Sequence, residues 1–364
     1  MREIDSIHNP LHYSLTCNVV SKRIQCTMVL PAATQQNTLY TYPRNKLLLQ
    51  LFIDTFYRMV KKQFSGIQLY RLFETGETGN PLDEICTLTA EISPTIDSNF
   101  LQKVHTDIGS FFSGDYPGFE ASVSRYHDLR HTHSVALATA RLFHGMHYED
   151  NRLPSDIILQ GLLGAYFHDL GMLPRSPGSD DYYDSSTRDH ETRSMNLVKQ
   201  YLDTNNFPAE FSDNCTTLIK YTNLDWKISG IAKHDSQLHV CGQVIGSADL
   251  LAQMSDRYYV ESLPHLFQEH LDSGVEKHDS AIDLMLSTID FHEKIIKTRL
   301  WKSLGNLSPS MQTHFRQRFG IDRNLYIENI ELNLTYLDRI TQDCGMELKC
   351  WEKYLRRRPP EANK

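Results

Sequence analysis

The sequence predicts a mostly α-helical protein, a multi-helix bundle preceded by a small α+β region at the N-terminus. From residue 126 onward, apolar residues recur at intervals of three and four, the spacing of one buried face of an α-helix. Before about residue 120 the pattern differs. β-branched and aromatic residues between positions 13 and 30 favour short strands.

The N-terminal region, residues 1–119, carries no motif to which chemistry can be attached. Residues 45–62 predict an amphipathic helix, and residues 76–81 (GETGNP) predict a turn. An interaction, regulatory or dimerising role is the default for such an extension. We therefore divide the chain into this region of unknown role, a helical domain over residues 120–355 and a basic tail over residues 356–364.

Each predicted helix of the second region has one apolar stripe. The stripes are Val135, Ala138 and Leu142; Ile158, Leu162, Ala165 and Tyr166; Met195, Val198 and Leu202; Cys215, Leu218 and Ile219; Val244, Ile245, Ala248, Leu251 and Met254; Ile282, Met285, Ile289 and Ile296; and Leu334, Leu337 and Ile340.

Composition excludes several classes of protein. Apolar residues make up 40% of the 364 residues, and the formal net charge is −8, which argues against tight binding to nucleic acid. The longest apolar segment, residues 157–173, is interrupted by polar residues and is too short to span a membrane. Seven cysteines without a CxxC pair predict no disulfide framework, and no signal peptide is visible. A cytoplasmic protein fits best.

Four His-Asp dipeptides occur, at residues 127–128, 168–169, 234–235 and 278–279. Chance alone explains about one of them in a chain with 17 histidines, so the flanking sequence must decide. His168-Asp169 ends an apolar run, GLLGAYFHDLGM, and is therefore expected to be buried. Because a buried carboxylate is costly unless it is satisfied, this pair predicts either metal ligands or a hydrogen-bonded core pair.

Two further segments supply matching side chains. In RYHDLRHTH, His127 and His131 are four residues apart and share one face if the segment is helical. Asp249, in QVIGSADLLAQMSDRYY, is a lone acid within an apolar helix. Together with His168 and Asp169, His131 and Asp249 offer two imidazoles and two carboxylates, which suit Zn²⁺, Mn²⁺, Fe²⁺ or Mg²⁺. His133 falls on another face, where a surface position or a satisfied hydrogen bond is expected.

The order of these four ligands, H…HD…D, resembles the HD superfamily of metal-dependent phosphohydrolases. Within it, YHDLRHTHSV is similar to the YHNxxHAxDV opening of cyclic-nucleotide phosphodiesterase catalytic domains. That resemblance implies a phosphodiesterase-like helical bundle, with His127 as general acid and His131 as a metal ligand. Asp128 stands where that subfamily has Asn, and DLGMLPRSPG lacks the second His expected there.

The resemblance implies hydrolysis of a phosphodiester or phosphomonoester in a small, nucleotide-like molecule. The nucleophile would be a hydroxide activated by one or two divalent metal ions, with Asp169 bridging them. His190 and Glu191 would serve a second metal or support the first ligands, although capping of a helix N-terminus also explains acids there. A di-iron oxygenase and a non-catalytic nucleotide-binding signalling module stay open, as does a homo-oligomeric state.

Other residues are weaker candidates. Gln312 and Phe315 are spaced like the purine-gripping pair of the cyclic-nucleotide enzymes, but an amphipathic helix explains them better. Seven histidines in polar surroundings are expected to be solvated: His144, His147, His234, His239, His265, His270 and His292.

Overall fold

A computed structural model gives the structure of the chain and describes residues 66–178, 189–231 and 235–357, together with four strands within residues 3–43. The protein is mostly α-helical. Thirteen α-helices lie in the described residues: α1 Gly66–Thr75, α2 Pro81–Ile92, α3 Ser98–Ser113, α4 Leu129–His147, α5 Ser155–Phe167, α6 His190–Thr204, α7 Ala209–Ile219, α8 Ser236–Ser255, α9 Tyr259–Asp272, α10 Ala281–Phe291, α11 Pro309–Phe319, α12 Leu325–Cys344 and α13 Leu348–Tyr354.

The strands form one antiparallel sheet in the order β1-β2-β3-β4. They are β1 Glu3–His8, β2 Ser14–Val20, β3 Arg23–Val29 and β4 Thr38–Pro43. Two of them, β2 and β3, pair with Ser14 opposite Val29, so the prediction of strands over residues 13–30 is confirmed. The predicted helix over residues 45–62 lies outside the described residues.

The predicted turn before α2 is also confirmed. Gly76 and Gly79 both adopt positive φ, +76° and +82°, which only glycine reaches without strain. Asn80 then caps α2 by accepting a hydrogen bond from the backbone N–H of Leu82 at 3.0 Å, and Pro81 occupies the first helical position.

Helix α4 is the centre of the bundle, since α2, α5, α8 and α11 all pack against it. From Val135 to Met146 every side chain on α4 is buried. Helix α5 is buried in the same way from Ile157 to Phe167, apart from Leu159. A helix that is buried on all sides needs apolar residues on all sides. The apolar run that ends at His168 forms α5 and is explained by this burial.

Residues before 120 contribute to the same core. The guanidinium of Arg141, on α4, is fully buried and donates hydrogen bonds of 2.7 Å to the carbonyls of Leu72 and Phe73 at the end of α1. A third bond, of 3.0 Å, reaches the hydroxyl of Tyr326 on α12. The last carbonyls of a helix have no partner within it, and a cation satisfies them well. The sequence analysis, which assigned residues 1–119 to a separate region, did not anticipate this packing.

Close approach of α4 and α11 depends on Gly145. A Cβ at this position would lie 1.9 Å from the carbonyl oxygen of Ser310. The backbones are therefore in direct contact, and any side chain would separate the two helices.

We predict that Gly145→Ala lowers the free energy of unfolding by about 3 kcal/mol, because overpacking forces backbone shifts. Gly109→Ala is the matched control: it also lies within a helix, but its added Cβ would meet no atom within 4 Å. The control should stabilise the protein by about 0.5–1 kcal/mol through helix propensity. Denaturant unfolding of both variants measures the difference, and equal effects would contradict this account of the contact.

Two histidines meet inside the bundle. His144 on α4 and His314 on α11 are both buried, and their Nδ1 atoms lie 3.3 Å apart. The expectation that His144 is solvated was wrong, as it was for His292, which is 6% exposed. Burial, then the positive charges of Arg141 and Arg318, holds the pKa of His314 well below its usual range. The folded protein therefore keeps His314 neutral.

A neutral buried histidine makes stability depend on pH. Below pH ~6.5 the unfolded chain binds a proton at His314, and the folded chain does not. The free energy of unfolding therefore falls as pH falls. We predict that His314→Gln and His314→Phe each reduce this slope by about 1.4 kcal/mol per pH unit. Denaturant unfolding between pH 7 and pH 5 measures the slope. An unchanged slope in both variants would contradict the prediction.

The C-terminal helices are joined covalently. Cys344, at the end of α12, and Cys350, in α13, form a disulfide across six residues of sequence. The sequence analysis did not predict this bond. No helix of the described residues is both long and apolar enough to cross a membrane.

Candidate metal centre

The first turn of α4 carries His131. Asp128 precedes the helix with an extended backbone and accepts a hydrogen bond from the backbone N–H of His131 at 2.8 Å. This N-cap fixes where α4 begins. It also explains the aspartate that departs from the phosphodiesterase motif, since Asp and Asn cap helices equally well.

The end of α5 carries the His-Asp pair. Nδ1 of His168 lies 2.8 Å from the carbonyl oxygen of Ala165, and because a carbonyl only accepts, Nδ1 carries the hydrogen. Nε2 of His168 is thereby the ring nitrogen that faces Nε2 of His131, 3.3 Å away. A second-partner hydrogen bond of this kind commonly orients a metal-binding histidine.

The two carboxylate oxygens of Asp169 face different histidines. Its Oδ2 is 3.1 Å from Nε2 of His168 and 3.5 Å from Nε2 of His131. Its Oδ1 is 3.5 Å from Nε2 of His190, the first residue of α6. Oδ2 is buried and has no hydrogen bond of good geometry. Because a buried carboxylate oxygen is costly to leave unsatisfied, a cation beside it is the natural partner.

Asp249 completes the group from the middle of α8. Its Oδ1 lies 3.3 Å from Nε2 of His131 and 3.6 Å from Nε2 of His168. The ligand atoms of His131, His168 and Asp169 all lie within 4.8 Å of one another, so these three buried residues could hold a metal ion. Asp249 lies beside this group because its carboxylate is close to both histidines.

Charge holds the cluster together in the metal-free chain. Burial opposes a charged imidazole at His131, but the nearby carboxylates of Asp169 and Asp249 outweigh it and raise its pKa to about 9. Burial likewise opposes a charged Asp249, but the nearby imidazoles of His131 and His168 outweigh it and lower its pKa to about 2. The residues therefore fit a divalent cation, which would replace the protons on the imidazoles while keeping both carboxylates ionised.

A glycine brings α6 to this cluster. A Cβ at Gly171 would lie 2.0 Å from the carbonyl oxygen of His190. The backbone N–H of Gly171 donates to the hydroxyl of Ser194 at 2.8 Å, and its carbonyl accepts from Nε of Arg193 at 2.6 Å. These contacts place His190 beside Asp169.

Glu191 lies one layer further out. Its Oε2 is 3.4 Å from Nδ1 of His190, and its Oε1 accepts a hydrogen bond of 2.7 Å from the side-chain amide of Asn223. Glu191 thus supports His190 in the structure. Asn223 was not anticipated, because nothing in its local sequence marks it.

His127 lies beside the cluster, outside α4. The sequence analysis had placed it on the face of His131 if the segment were helical, but the helix begins only at Leu129. Its ring centroid is 6.0 Å from that of His131. Nδ1 of His127 donates to Oε2 of Glu269, on α9, at 2.7 Å, which leaves Nε2 as the ring nitrogen able to act on a substrate.

Glu269 is held by several donors. Its Oε1 accepts hydrogen bonds from the hydroxyl of Ser124 at 2.5 Å and from the backbone N–H of Tyr126 at 3.0 Å. Burial raises the pKa of Glu269, but His127 and these donors outweigh burial and lower it. Glu269 is therefore ionised at neutral pH. Sequence reasoning missed this residue, because it is 142 positions away from His127.

Other candidates lie apart from the cluster. His133 stacks on His105 with ring centroids 3.9 Å apart, and it is largely buried rather than at the surface. Phe315 is fully buried against Arg141, which lies about 15 Å along α4 from His131. The interpretation of Gln312 and Phe315 as part of a packing helix is consistent with this position.

No model of a protein family matches this chain, and no curated protein matches it either. The conclusions about function therefore depend on the geometry of the cluster.

We predict that Asp169→Ala abolishes stoichiometric binding of a divalent metal, because it removes the carboxylate that faces all three imidazoles. Asp338→Ala, which removes an exposed carboxylate on α12, is the matched control and should bind metal as the wild type does. Elemental analysis after dialysis against Zn²⁺, Mn²⁺, Fe²⁺ or Mg²⁺ gives the metal content per chain. Equal content in both variants would mean that the cluster is only a buried ion-pair network.

Proposed function

We propose that this protein is a metal-dependent phosphohydrolase of the HD type, which hydrolyses a phosphate ester in a small, nucleotide-like molecule. One observation carries the proposal. The buried group of His131, His168 and Asp169, with the partly exposed Asp249 beside it, lies next to an imidazole, His127, that is hydrogen-bonded to an ionised carboxylate. Metal ligands and a positioned general acid are the two components that ester hydrolysis at phosphorus requires.

The ligands of the cation would be His131, His168, Asp169 and Asp249, with His190 on the far side of Asp169. When bound, a divalent cation there would promote attack of water on phosphorus near neutral pH and offset the negative charge of the phosphoryl oxygens. Burial of the cluster favours this role, because charge interactions are stronger where bulk water is excluded.

His127 would supply the proton to the departing oxygen. Its Nδ1–H is fixed on Glu269, so Nε2 is the atom that holds and delivers this proton. The carboxylate of Glu269 stabilises the imidazolium and sets the orientation of the ring, as in other acid–base pairs of this kind. Ser124 and Tyr126 keep Glu269 in place, so two residues of the loop before His127 and one residue of α9 preorganise the acid.

The HD assignment extends the resemblance noted in the sequence. It is supported by the convergence of the four motif residues on one buried space and by the position of His127 beside them. A di-iron oxygenase and a non-catalytic nucleotide-binding module use related scaffolds, and both are outcomes of the test below.

The test is metal analysis followed by a substrate screen. Cyclic nucleotides, cyclic dinucleotides, nucleoside mono- and triphosphates and an aryl phosphodiester are incubated with the protein under each metal, with Asp169→Ala as the inactive control. Hydrolysis that requires Asp169 supports the proposal. Two irons per chain with O₂ consumption and no hydrolysis would favour the oxygenase, and nucleotide binding without turnover would favour the signalling module.

We predict that His127→Ala retains metal but loses about 10²- to 10⁴-fold in turnover, the usual contribution of a general acid. His147→Ala, at the distant end of α4, is the matched control and should keep full activity. Steady-state kinetics and metal content are measured on the same samples. Full activity in His127→Ala, or loss of its metal, would exclude the acid role.

Glu269→Gln provides a finer test of the same role. The neutral amide keeps the size of the side chain but cannot stabilise an imidazolium. We predict a smaller loss of turnover than in His127→Ala, because the imidazole is kept but its orientation is less firmly held. Turnover as low as in His127→Ala, or loss of the bound metal, would indicate that Glu269 only maintains the local structure.

A further inference from the structure

The first residue of α6, His190, faces Asp169 from a helix end that its own neighbour does not cap. Asp189, which precedes His190, has a positive φ of +57°, and its side chain makes no capping hydrogen bond to α6. A positive φ is uncommon for residues other than glycine. The position of His190 therefore depends on contacts from other parts of the chain, and those of Gly171 and Glu191 are two of them.

Asn223 links Glu191 to a tight loop, residues 223–226. Its Nδ2 donates a hydrogen bond of 2.7 Å to Oε1 of Glu191. Its Oδ1 accepts hydrogen bonds from the backbone N–H groups of Asp225 and Trp226, at 2.8 and 3.1 Å. Because both ends of the side-chain amide are used, the conformation of this loop sets the direction in which Asn223 donates.

The guanidinium of Arg299 holds the same loop from outside. It is buried and donates to two backbone carbonyls, that of Asn223 at 2.6 Å and that of Trp226 at 2.9 Å. Arg299 begins a π-helical turn, Arg299–Ser303, and such turns are rare and frequently occur at functional sites. Its planar guanidinium thus joins the first and last residues of the loop, a geometry that lysine cannot reproduce.

These two hydrogen bonds are the main compensation for burying Arg299. Among the residues that the structure describes, no carboxylate lies at ion-pair distance from its guanidinium, and burial lowers its pKa. A buried cation without a partner carboxylate is unfavourable unless hydrogen bonds offset the loss of water. Arg299 is therefore committed to the loop that carries Asn223.

We propose that Arg299 is a positioning residue of the metal centre. It fixes the loop that carries Asn223, and Asn223 in turn holds Glu191. Glu191 then keeps the imidazole of His190 facing Asp169, with Nδ1 3.4 Å from Glu191 and Nε2 3.5 Å from Asp169. The inference rests on the proposed function, because it assigns a supporting residue to the metal site on which that function depends.

Metal affinity tests this role without any substrate. Dissociation constants of the whole chain for Zn²⁺, Mn²⁺, Fe²⁺ and Mg²⁺ are measured by calorimetric titration. Arg299→Lys and Asn223→Ser should each weaken binding of the metal that the wild type holds by about tenfold, as other outer partners of metal ligands do. Serine keeps an oxygen for the turn but is too short to reach Glu191.

A double-mutant cycle with His190→Ala separates positioning from general damage. If Arg299 and Asn223 act through His190, their variants should change metal affinity by less than about twofold once His190 is alanine. Effects as large as in the wild-type background would overturn the proposal, because the two residues would then act independently of His190. Asn223→Ser carries the same test if Arg299→Lys does not fold.

Arg141→Lys is the matched control. Arg141 is also a buried guanidinium that donates to two backbone carbonyls, those of Leu72 and Phe73, but it lies towards the end of α4 that is distant from the cluster. The control should lower the free energy of unfolding and leave metal affinity within about twofold of the wild type. An equal loss of metal affinity in Arg141→Lys and Arg299→Lys would overturn the positioning role, since it would reflect lost stability alone.

The outcomes distinguish this inference from the proposed function. Unchanged metal affinity in Arg299→Lys and Asn223→Ser would overturn the positioning role and leave the metal centre standing. Metal binding that weakens in both variants, in a wild type that hydrolyses no phosphate ester, would support the positioning role and overturn the hydrolase. A wild type that binds none of these metals would overturn both.

Discussion

The carboxylate of Asp169 is the interaction on which the rest of this site depends. One oxygen faces His131 and His168, and the other faces His190, so a single residue links the beginning of α4, the end of α5 and the beginning of α6. Burying such a carboxylate is unfavourable without compensation. Protonated imidazoles provide that compensation in the metal-free chain, and the same group of residues could hold a divalent cation.

The helices reach this point only because particular positions are small or specifically hydrogen-bonded. Gly171 allows the backbone of α6 to approach within contact distance, and Asp128 fixes the first turn of α4. At the other end of α4, Gly145 and Arg141 anchor the helix against α11 and α1. The central helix is therefore constrained at both ends, and the position of His131 follows from that constraint.

The position of His127 is not set by any single helix. It precedes α4 and is oriented by Glu269, which in turn is held by the loop before His127. These hydrogen bonds join the loop before His127 to α9. A pocket that Arg125 lines lies between the loop and α9. The position of His127 therefore depends on a loop and a helix that supply no residue of the buried His131, His168 and Asp169 group.

Local sequence determined the helical class and the apolar stripes, because helical periodicity depends on residues that are close in sequence. It also distinguished His168-Asp169 from the other His-Asp pairs, because the residues that flank this pair are apolar. It also nominated Asp249, an acid with apolar neighbours. Only the tertiary structure decided that Glu269 meets His127, that Asn223 supports Glu191, and that α1 packs on Arg141. Those contacts join residues 32 to 142 positions apart. They arise from the angles at which whole helices pack, which no short segment of sequence specifies.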